Sequence, residues 1–141
     1  MATNVIYYSR KGHTKAVAET VAKVADVEAI DITKPHSLGE TDLLFIGTGI
    51  YAGRPDQVLL DYVDNLPTNM IKGAAIFSTS AAGKDRTEML VNLLEHKGIV
   101  VYPKHLCIRG QFLFFALNHP NLKDMKKANQ FTQEVLDSFQ G

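Results

Sequence analysis

The sequence predicts a single α/β domain built on a doubly wound parallel sheet. Short, continuously apolar runs alternate along the chain with stretches in which apolar residues recur every three or four positions. The first pattern is typical of strands buried on both faces, and the second is typical of helices with one apolar face. Five such strands alternating with helices predict one parallel sheet covered by helices on both faces, because parallel neighbours are joined by right-handed crossovers.

The composition is consistent with one folded domain and excludes several other classes of protein. Of 141 residues, 45% are hydrophobic and 21% are charged, which excludes an intrinsically disordered chain. The 15 lysine and arginine residues balance the 15 aspartate and glutamate residues, so the net charge predicts no nucleic-acid partner. No apolar run reaches about 18 residues, the length that a membrane span requires. We therefore expect one domain over residues 1–141, and the lone Cys107 and the lack of a leader segment favour a cytoplasmic location.

The first half of the chain contains three predicted strands and one amphipathic helix. The first strand is predicted at residues 5–8, and the second and third at residues 27–32 and 43–46. From Thr14 apolar residues recur at helical spacing, which predicts one buried helical face. These residues are Val17, Ala18, Val21, Val24 and Ala25. Residues 33–42 are too few and too rich in helix breakers for a full helix, so we expect a short turn in place of the second crossover helix.

The middle of the chain adds two helices and a strand. Pro55 and Asp56 form a plausible helix start, and apolar residues follow them at helical spacing. The fourth strand is predicted at residues 74–77. Asp85 and Glu88 have the spacing of a capping box, which predicts the start of the next helix there.

The last part of the chain predicts an interrupted fifth strand and a long helix. The strand begins at residues 99–101 and resumes at residues 106–108, after Pro103. Apolar residues three or four apart between residues 122 and 139 predict the helix, with Asn121 as its cap. This element completes the alternation of strands and helices.

The loop after the first strand has the character of an anion-binding site. In sheets of this kind, ligands bind outside the carboxyl ends of the strands. The loop consists of Ser9, Arg10, Lys11, Gly12, His13 and Thr14. It opens a helix, whose first backbone N–H groups have no partner within the helix and carry partial positive charge. The loop therefore predicts a phosphate site, and an ordinary polar strand-to-helix loop is the alternative.

Two further loops follow the third and fourth predicted strands at the same edge. The first of them consists of Thr48, Gly49, Ile50, Tyr51, Ala52 and Gly53. Its aromatic ring is suited to stacking on a flat heteroaromatic ligand. The other consists of Ser78, Thr79, Ser80, Ala81, Ala82 and Gly83, small residues whose backbone groups can reach the edge of a ring. A tyrosine packed on the surface and a flexible turn are the respective alternatives.

Together these three loops resemble the flavin-binding loops of the flavodoxin family, and the resemblance covers the whole chain. In that family a loop of Ser/Thr, any residue, Ser/Thr, Gly, any residue and Thr binds the phosphate of FMN. Residues 9–14 are similar to it, with Lys11 where a small hydroxyl residue is usual and where a charge can act instead. Tyr51 matches the aromatic residue that covers one face of the flavin. The resemblance implies a three-layer domain with strand order 2-1-3-4-5, FMN as cofactor, and FMN binding by all the residues of the three loops.

The third loop departs from the family pattern. Many flavodoxins have a stacking tyrosine flanked by acidic residues there, and this chain has neither. We therefore expect one face of the flavin to be open or to be covered by Phe112, Phe114 or Phe115.

The resemblance implies a protein that transfers electrons to or from a redox partner, for example as the accessory reductant of a separate reductase. Two alternatives stay open at this stage. One is an FMN-dependent oxidoreductase that itself acts on a small substrate of the quinone or tetrapyrrole type. The other is a module without FMN that acts by protein contact. The sequence contains no evident catalytic constellation and no histidine pair at metal-ligand spacing, so whether the chain is an enzyme in its own right is left open.

Charged residues near the three loops predict the character of the partner. The basic residues there are Arg10, Lys11, Arg54, Lys84 and Arg86, and the acidic ones are Asp56 and Asp85. Electron-carrier flavodoxins are commonly very acidic, whereas this chain is neutral. We therefore expect a partner that presents an acidic surface, an association that weakens with salt, and a bound flavin that is less strongly reducing than in an acidic homologue.

Overall fold

The chain folds as a largely parallel sheet with helices on both faces, described for residues 1–109 and 122–140 by a computed structural model. The strands are β1 (Thr3–Tyr7), β2 (Ala29–Asp31), β3 (Thr41–Tyr51), β4 (Arg54–Pro55), β5 (Ile71–Ser80), β6 (Val100–Val101) and β7 (Leu106–Arg109). The helices are α1 (His13–Ala25), α2 (Gln57–Asp64), α3 (Glu88–His96) and α4 (Leu122–Gln140). The predicted alternation of strands and helices is confirmed.

The strand order of the sheet is β2-β1-β3-β5, with β6 and β7 both following β5. Strand β6 pairs with the first half of β5 through Gly73 and Val100, and β7 pairs with its second half through Phe77 and Leu106. The two short strands are therefore one interrupted edge strand. When they count as one, and the short antiparallel β4 is set aside, the predicted order 2-1-3-4-5 is confirmed.

The sheet separates two hydrophobic clusters, because successive side chains of a strand point to opposite faces. On one face, Phe45 and Phe77 pack against α1 and α4. On the other face, Leu44 and Ile76 pack against α2 and α3. All four strand residues are fully buried, which explains why these strands are continuously apolar in sequence.

The connection from β2 to β3 contains no helix within residues 32–40, as the sequence predicted. His36 instead attaches this segment to α2. Its Nε2 atom lies 2.7 Å from the hydroxyl of Tyr62, and its Nδ1 atom lies 2.7 Å from the carbonyl oxygen of Lys34. The hydrogen bond between His36 and Tyr62 thus joins the connection to the neighbouring helix.

Two strands are longer than predicted, and their ends include part of the predicted ligand loops. Strand β3 continues to Tyr51 and β5 continues to Ser80, whereas the predictions ended at residues 46 and 77. The extension is stabilised by pairing, because Thr48 lies opposite Ser78 in the parallel ladder. Residues 48–51 and 78–80 of the second and third predicted loops therefore belong to strand ends.

The predicted capping box at the start of α3 is wrong. The helix begins at Glu88 behind Thr87, which makes no side-chain cap hydrogen bond within the described chain. Asp85 instead accepts hydrogen bonds from the backbone N–H of Thr87 at 3.1 Å and from its hydroxyl at 2.5 Å. A short acidic side chain that binds the backbone two residues ahead forms a turn before the helix, and it competes with capping.

A two-residue turn joins β3 to β4. Tyr51 pairs with Arg54, and the residues between them, Ala52 and Gly53, have φ angles of 53° and 73°. Two consecutive left-handed residues define the type I′ turn, which suits the twist of a hairpin. Glycine adopts this conformation freely, whereas the Cβ atom of alanine is crowded in it.

We predict that Ala52→Asn stabilises the folded protein by about 0.5–1 kcal/mol, because asparagine tolerates the left-handed conformation better than alanine does. Ala52 is exposed, so the change leaves packing unaltered. The measurement is the free energy of unfolding in urea. Gly53→Ala is the matched control and should destabilise the protein, and equal unfolding midpoints for the two variants would contradict the assigned turn.

Candidate cofactor-binding site

A cavity of about 230 Å³ opens at the carboxyl ends of β1, β3 and β5. It is lined by Ser9, Lys11, His13, Thr14, Ile50, Tyr51, Thr79, Ser80 and Ala81. Every lining residue belongs to one of the three predicted ligand loops. The fold therefore brings the three loops to one place, although they are far apart in sequence.

The other predicted site residues do not line this cavity. They are Arg10, Gly12, Thr48, Gly49, Ala52, Gly53, Ser78, Ala82 and Gly83. Thr48 and Ser78 are buried within the sheet, and Ala52 and Gly53 form the turn of the hairpin. A direct role for these residues in ligand binding stays a prediction.

The first loop presents the start of α1 to the cavity. Gly12 precedes the helix with a φ angle of 91°, and as a glycine it provides no side-chain cap of its own. The hydroxyl of Ser9 accepts a hydrogen bond from the N–H of Gly12 at 2.9 Å, which closes the loop. The N–H groups of the first helical turn have no partner within the helix. With the Lys11 ammonium and the hydroxyl of Thr14 beside them, they form a donor set that fits a phosphate group.

Two buried threonines join the first loop to the third. The hydroxyl oxygens of Thr14 and Thr79 lie 2.7 Å apart and share a hydrogen bond. Only 2% of Thr14 and 6% of Thr79 are exposed, although both line the cavity. This pair sets the distance between the two walls.

Tyr51 lies against the backbone of its own strand. A Cβ atom at Gly49 would lie 2.8 Å from the Tyr51 ring, so the glycine is needed for this close approach. Burial raises the pKa of the Tyr51 phenol, although the positive charge of Arg10 opposes the shift. An aromatic ring at the mouth of the cavity fits a flat ligand ring.

Asp56 is a functional residue that the sequence suggested only as a rim charge and a helix start. It is 1% exposed, caps α2 by accepting the N–H of Val58 at 3.0 Å, and forms an ion pair of 2.7 Å with Nε of Arg10. The prediction of a helix start at this position is confirmed, whereas the placement of Asp56 on a charged rim is wrong. Its side chain turns inward because both the helix N-terminus and the guanidinium lie there.

Strand β7 holds the third loop. Arg109 donates a hydrogen bond from Nε to the carbonyl oxygen of Ala81 at 3.1 Å, and Nδ1 of His105 lies 2.7 Å from Oδ2 of Asp85. Sequence reasoning missed both contacts. The available signal was the resumed edge strand, since Arg109 pairs with Ser80 in register. Phe112, Phe114 and Phe115, proposed as covers for the second flavin face, lie outside the described residues.

Neither a metal-binding cluster nor a membrane-spanning helix is found among the described residues. Within residues 1–109 and 122–140, no group of three or more histidine, cysteine or acidic side chains is placed to hold a metal ion. Among the helices of that same part of the chain, none is long and apolar enough to cross a membrane.

We predict that the contribution of Asp85 to stability depends on pH. Burial raises the pKa of its carboxyl, but hydrogen bonds from Thr87 and His105 lower the pKa by more than burial raises it. The pKa therefore lies below its ordinary value of 3.8. A carboxyl whose pKa is lower in the folded than in the unfolded protein stabilises the fold at pH values above its unfolded-state pKa. This stabilisation is lost as the pH falls through the folded-state pKa. Asp85→Asn should therefore lower the free energy of unfolding at neutral pH but not near the folded-state pKa.

Urea unfolding of the wild type and Asp85→Asn at pH 7, 5 and 3 measures this difference. Glu40→Gln, a change at an exposed position, is the control and should follow the wild type at every pH. An Asp85→Asn effect that is the same at all three values of pH would contradict the prediction.

Comparison with known proteins agrees with the fold. A family model of the flavodoxin domain matches residues 4–135. An uncharacterized protein of Methanocaldococcus jannaschii is 31% identical over 137 residues, and the match covers 88% of this chain and 90% of that protein. Among solved structures, a flavodoxin from the domain Archaea covers 100% of both chains with a TM-score of 0.80 at 18% identity. A Fusobacterium nucleatum flavodoxin bound to flavin mononucleotide covers 98% of both chains with a TM-score of 0.70 at 12% identity.

The two solved structures show the same fold, and the family model covers almost the whole chain. The resemblance inferred from the three loops is thereby confirmed. The chain belongs to the flavodoxin family of FMN-binding electron-transfer proteins.

Proposed function

We propose that this chain binds FMN in the cavity between the three loops and transfers electrons to and from a redox protein with an acidic docking surface. The observation that carries the proposal is the meeting, in one cavity, of a helix start preceded by a glycine, of residues with hydroxyl and ammonium groups, and of an aromatic ring. FMN supplies the redox chemistry of its isoalloxazine ring, while the protein supplies binding, orientation and access.

The first loop is suited to recognition of the FMN phosphate. Ser9, Lys11, His13 and Thr14 all line the cavity, and this loop carries two hydroxyl groups, one ammonium group and the N–H groups at the start of α1. Hydrogen bonds to a charged group contribute about 1.5–3 kcal/mol each, so two or three of them dominate the selectivity for a phosphorylated flavin. Lys11 takes the place of a small hydroxyl residue and adds a full positive charge.

The second and third loops are suited to holding the flavin ring. Tyr51 provides a stacking surface, and Thr79, Ser80 and Ala81 line the same cavity. The cavity of about 230 Å³ is smaller than the roughly 300–1,000 Å³ typical of pockets that enclose a whole small molecule. The described residues that line this cavity therefore do not by themselves enclose a molecule of the size of FMN.

The charges around the cavity support an acidic partner. Arg10 is paired with Asp56, and Arg54 donates a hydrogen bond to Gln57. Three exposed basic residues, Lys11, Lys84 and Arg86, form no ion pair within residues 1–109 and 122–140. Because Lys11 is assigned to the FMN phosphate, Lys84 and Arg86 are the charges left to favour association with an acidic surface.

We predict that the protein, stripped of ligand, binds FMN about 100-fold or more tightly than riboflavin, because only FMN carries the phosphate. Titration followed by flavin fluorescence and visible absorbance measures both affinities. Lys11→Ala should weaken FMN binding and leave riboflavin binding unchanged. Lys126→Ala, at an exposed position on α4, is the matched control and should change neither.

Two outcomes would count against the proposal. Equal affinities for FMN and riboflavin would contradict the proposal that the first loop binds the FMN phosphate. Binding of neither flavin would favour a module that acts by protein contact.

We predict that the FMN-loaded, reduced protein reacts with ferricyanide at a rate that falls as NaCl rises from about 20 mM to about 500 mM, because screening weakens attraction between unlike charges. Hexaamminecobalt(III), a cation, should show the opposite dependence. Stopped-flow absorbance measures both rates. Lys84→Ala should flatten the ferricyanide dependence and Lys126→Ala should not, and a rate independent of salt would contradict the basic docking surface.

A further inference from the structure

Arg10 lies in the middle of the first loop but is not among the residues that line the cavity. Its guanidinium carbon lies 4.0 Å from the centroid of the Tyr51 ring. Its Nε atom donates to Oδ2 of Asp56 at 2.7 Å, and half of its side chain is exposed. Tyr51, in contrast, does line the cavity. The guanidinium therefore contacts the site through the aromatic ring.

Asp56 is held in place by groups other than Arg10. Its Oδ1 atom accepts the N–H of Val58 at 3.0 Å, and its own N–H donates to the hydroxyl of Thr48 at 3.1 Å. The carboxylate is buried, so a paired cation is needed to balance its charge. The start of α2 and the end of β3 thus fix the point to which Arg10 is attached.

The arrangement requires the shape of an arginine side chain. A planar guanidinium can donate along its edge to a carboxylate and, at the same time, lay its face on an aromatic ring. A lysine ammonium at the same place can keep the charge pair but has no flat face for the ring. The hydrogen bond to Asp56 also raises the pKa of Arg10, so the side chain stays charged.

We propose that Arg10 is a positioning residue that fixes the orientation of Tyr51 and so determines the stacking surface offered to the flavin ring. The inference rests on the proposed FMN-binding function and goes beyond it, since it gives Arg10 a role at the ring rather than at the phosphate. The contact with the ring is common to FMN and riboflavin. A change at Arg10 therefore affects the two flavins alike, whereas a change at a phosphate-binding residue affects FMN alone.

The first experiment uses the protein without flavin. In the NMR spectrum, the Hε resonance of Arg10 should be shifted by the ring current of Tyr51 and protected from exchange by Asp56. Tyr51→Leu should remove the shift but keep the protection. A resonance at its ordinary position in the wild type, or one unchanged by Tyr51→Leu, would overturn the stacked arrangement. This result does not depend on whether the protein binds FMN.

The second experiment measures binding of both flavins to four proteins: wild type, Arg10→Lys, Tyr51→Leu and the double variant. Arg10→Lys keeps a cation beside the buried Asp56, so folding is preserved. We expect it to weaken FMN and riboflavin binding by the same factor, about three-fold, and to alter the visible circular dichroism of bound FMN. In the Tyr51→Leu background the same change should have no effect.

The outcomes of the binding experiment separate this inference from the proposed function. A three-fold loss that persists in the Tyr51→Leu background, a loss confined to FMN, or no loss at all would overturn the positioning role. If the wild type bound neither flavin, the proposed function would fail and the positioning role with it, whereas the NMR experiment would still decide whether Arg10 holds the ring. A second double variant, Arg10→Met with Asp56→Asn, removes both charges and so leaves no buried, unpaired carboxylate. It should reproduce the loss of flavin affinity seen with Arg10→Lys.

Discussion

The buried carboxylate of Asp56 is the constraint on which the geometry of the site depends. It accepts the N–H of Val58, the second residue of α2, and its own backbone N–H donates to the hydroxyl of Thr48 near the end of β3. Its other oxygen receives Arg10 from the first loop. A carboxylate removed from water is stable only when its charge and lone pairs are matched. Because its partners lie in separate segments, satisfying this one group fixes the first loop, the hairpin and α2 relative to one another.

The layers and the strand order could be predicted because they follow from local patterns and general rules of chain topology. The strand ends could not, since two glycines at the end of β3 read as a loop in sequence. In the structure a Cβ atom at Gly47 would lie 2.2 Å from the ring of Phe77, and Gly49 admits the ring of Tyr51. These glycines make room for aromatic side chains within a strand. The partner of Gly47 lies 30 residues away, so no local pattern reveals it.

The candidate site could be predicted as three loops but not as a set of contacts. The position of residues 9–14 between a predicted strand and a predicted helix indicated their anion-binding character, because that character comes from the backbone at a helix start. The contacts of Arg10 and Asp85 could not be predicted, since each depends on a distant partner. Arg10 pairs with Asp56 across 46 positions, and Asp85 contacts His105 across 20. A charged residue in a loop looks the same in sequence whether it faces solvent or a buried carboxylate.

Apart from Thr14, which belongs to both sets, the groups that hold the loops together differ from the groups left for a ligand. The ion pair of Arg10 and the shared hydrogen bond of Thr14 and Thr79 join the loops, while the N–H groups of α1 and the ammonium of Lys11 are not used in these links. A site ordered in advance loses less conformational entropy when it binds. The field at such a site is set by charges within roughly 8–10 Å, the screening length at physiological salt, and not by the total charge. A chain with no net charge can therefore attract a phosphate group to one edge of its sheet.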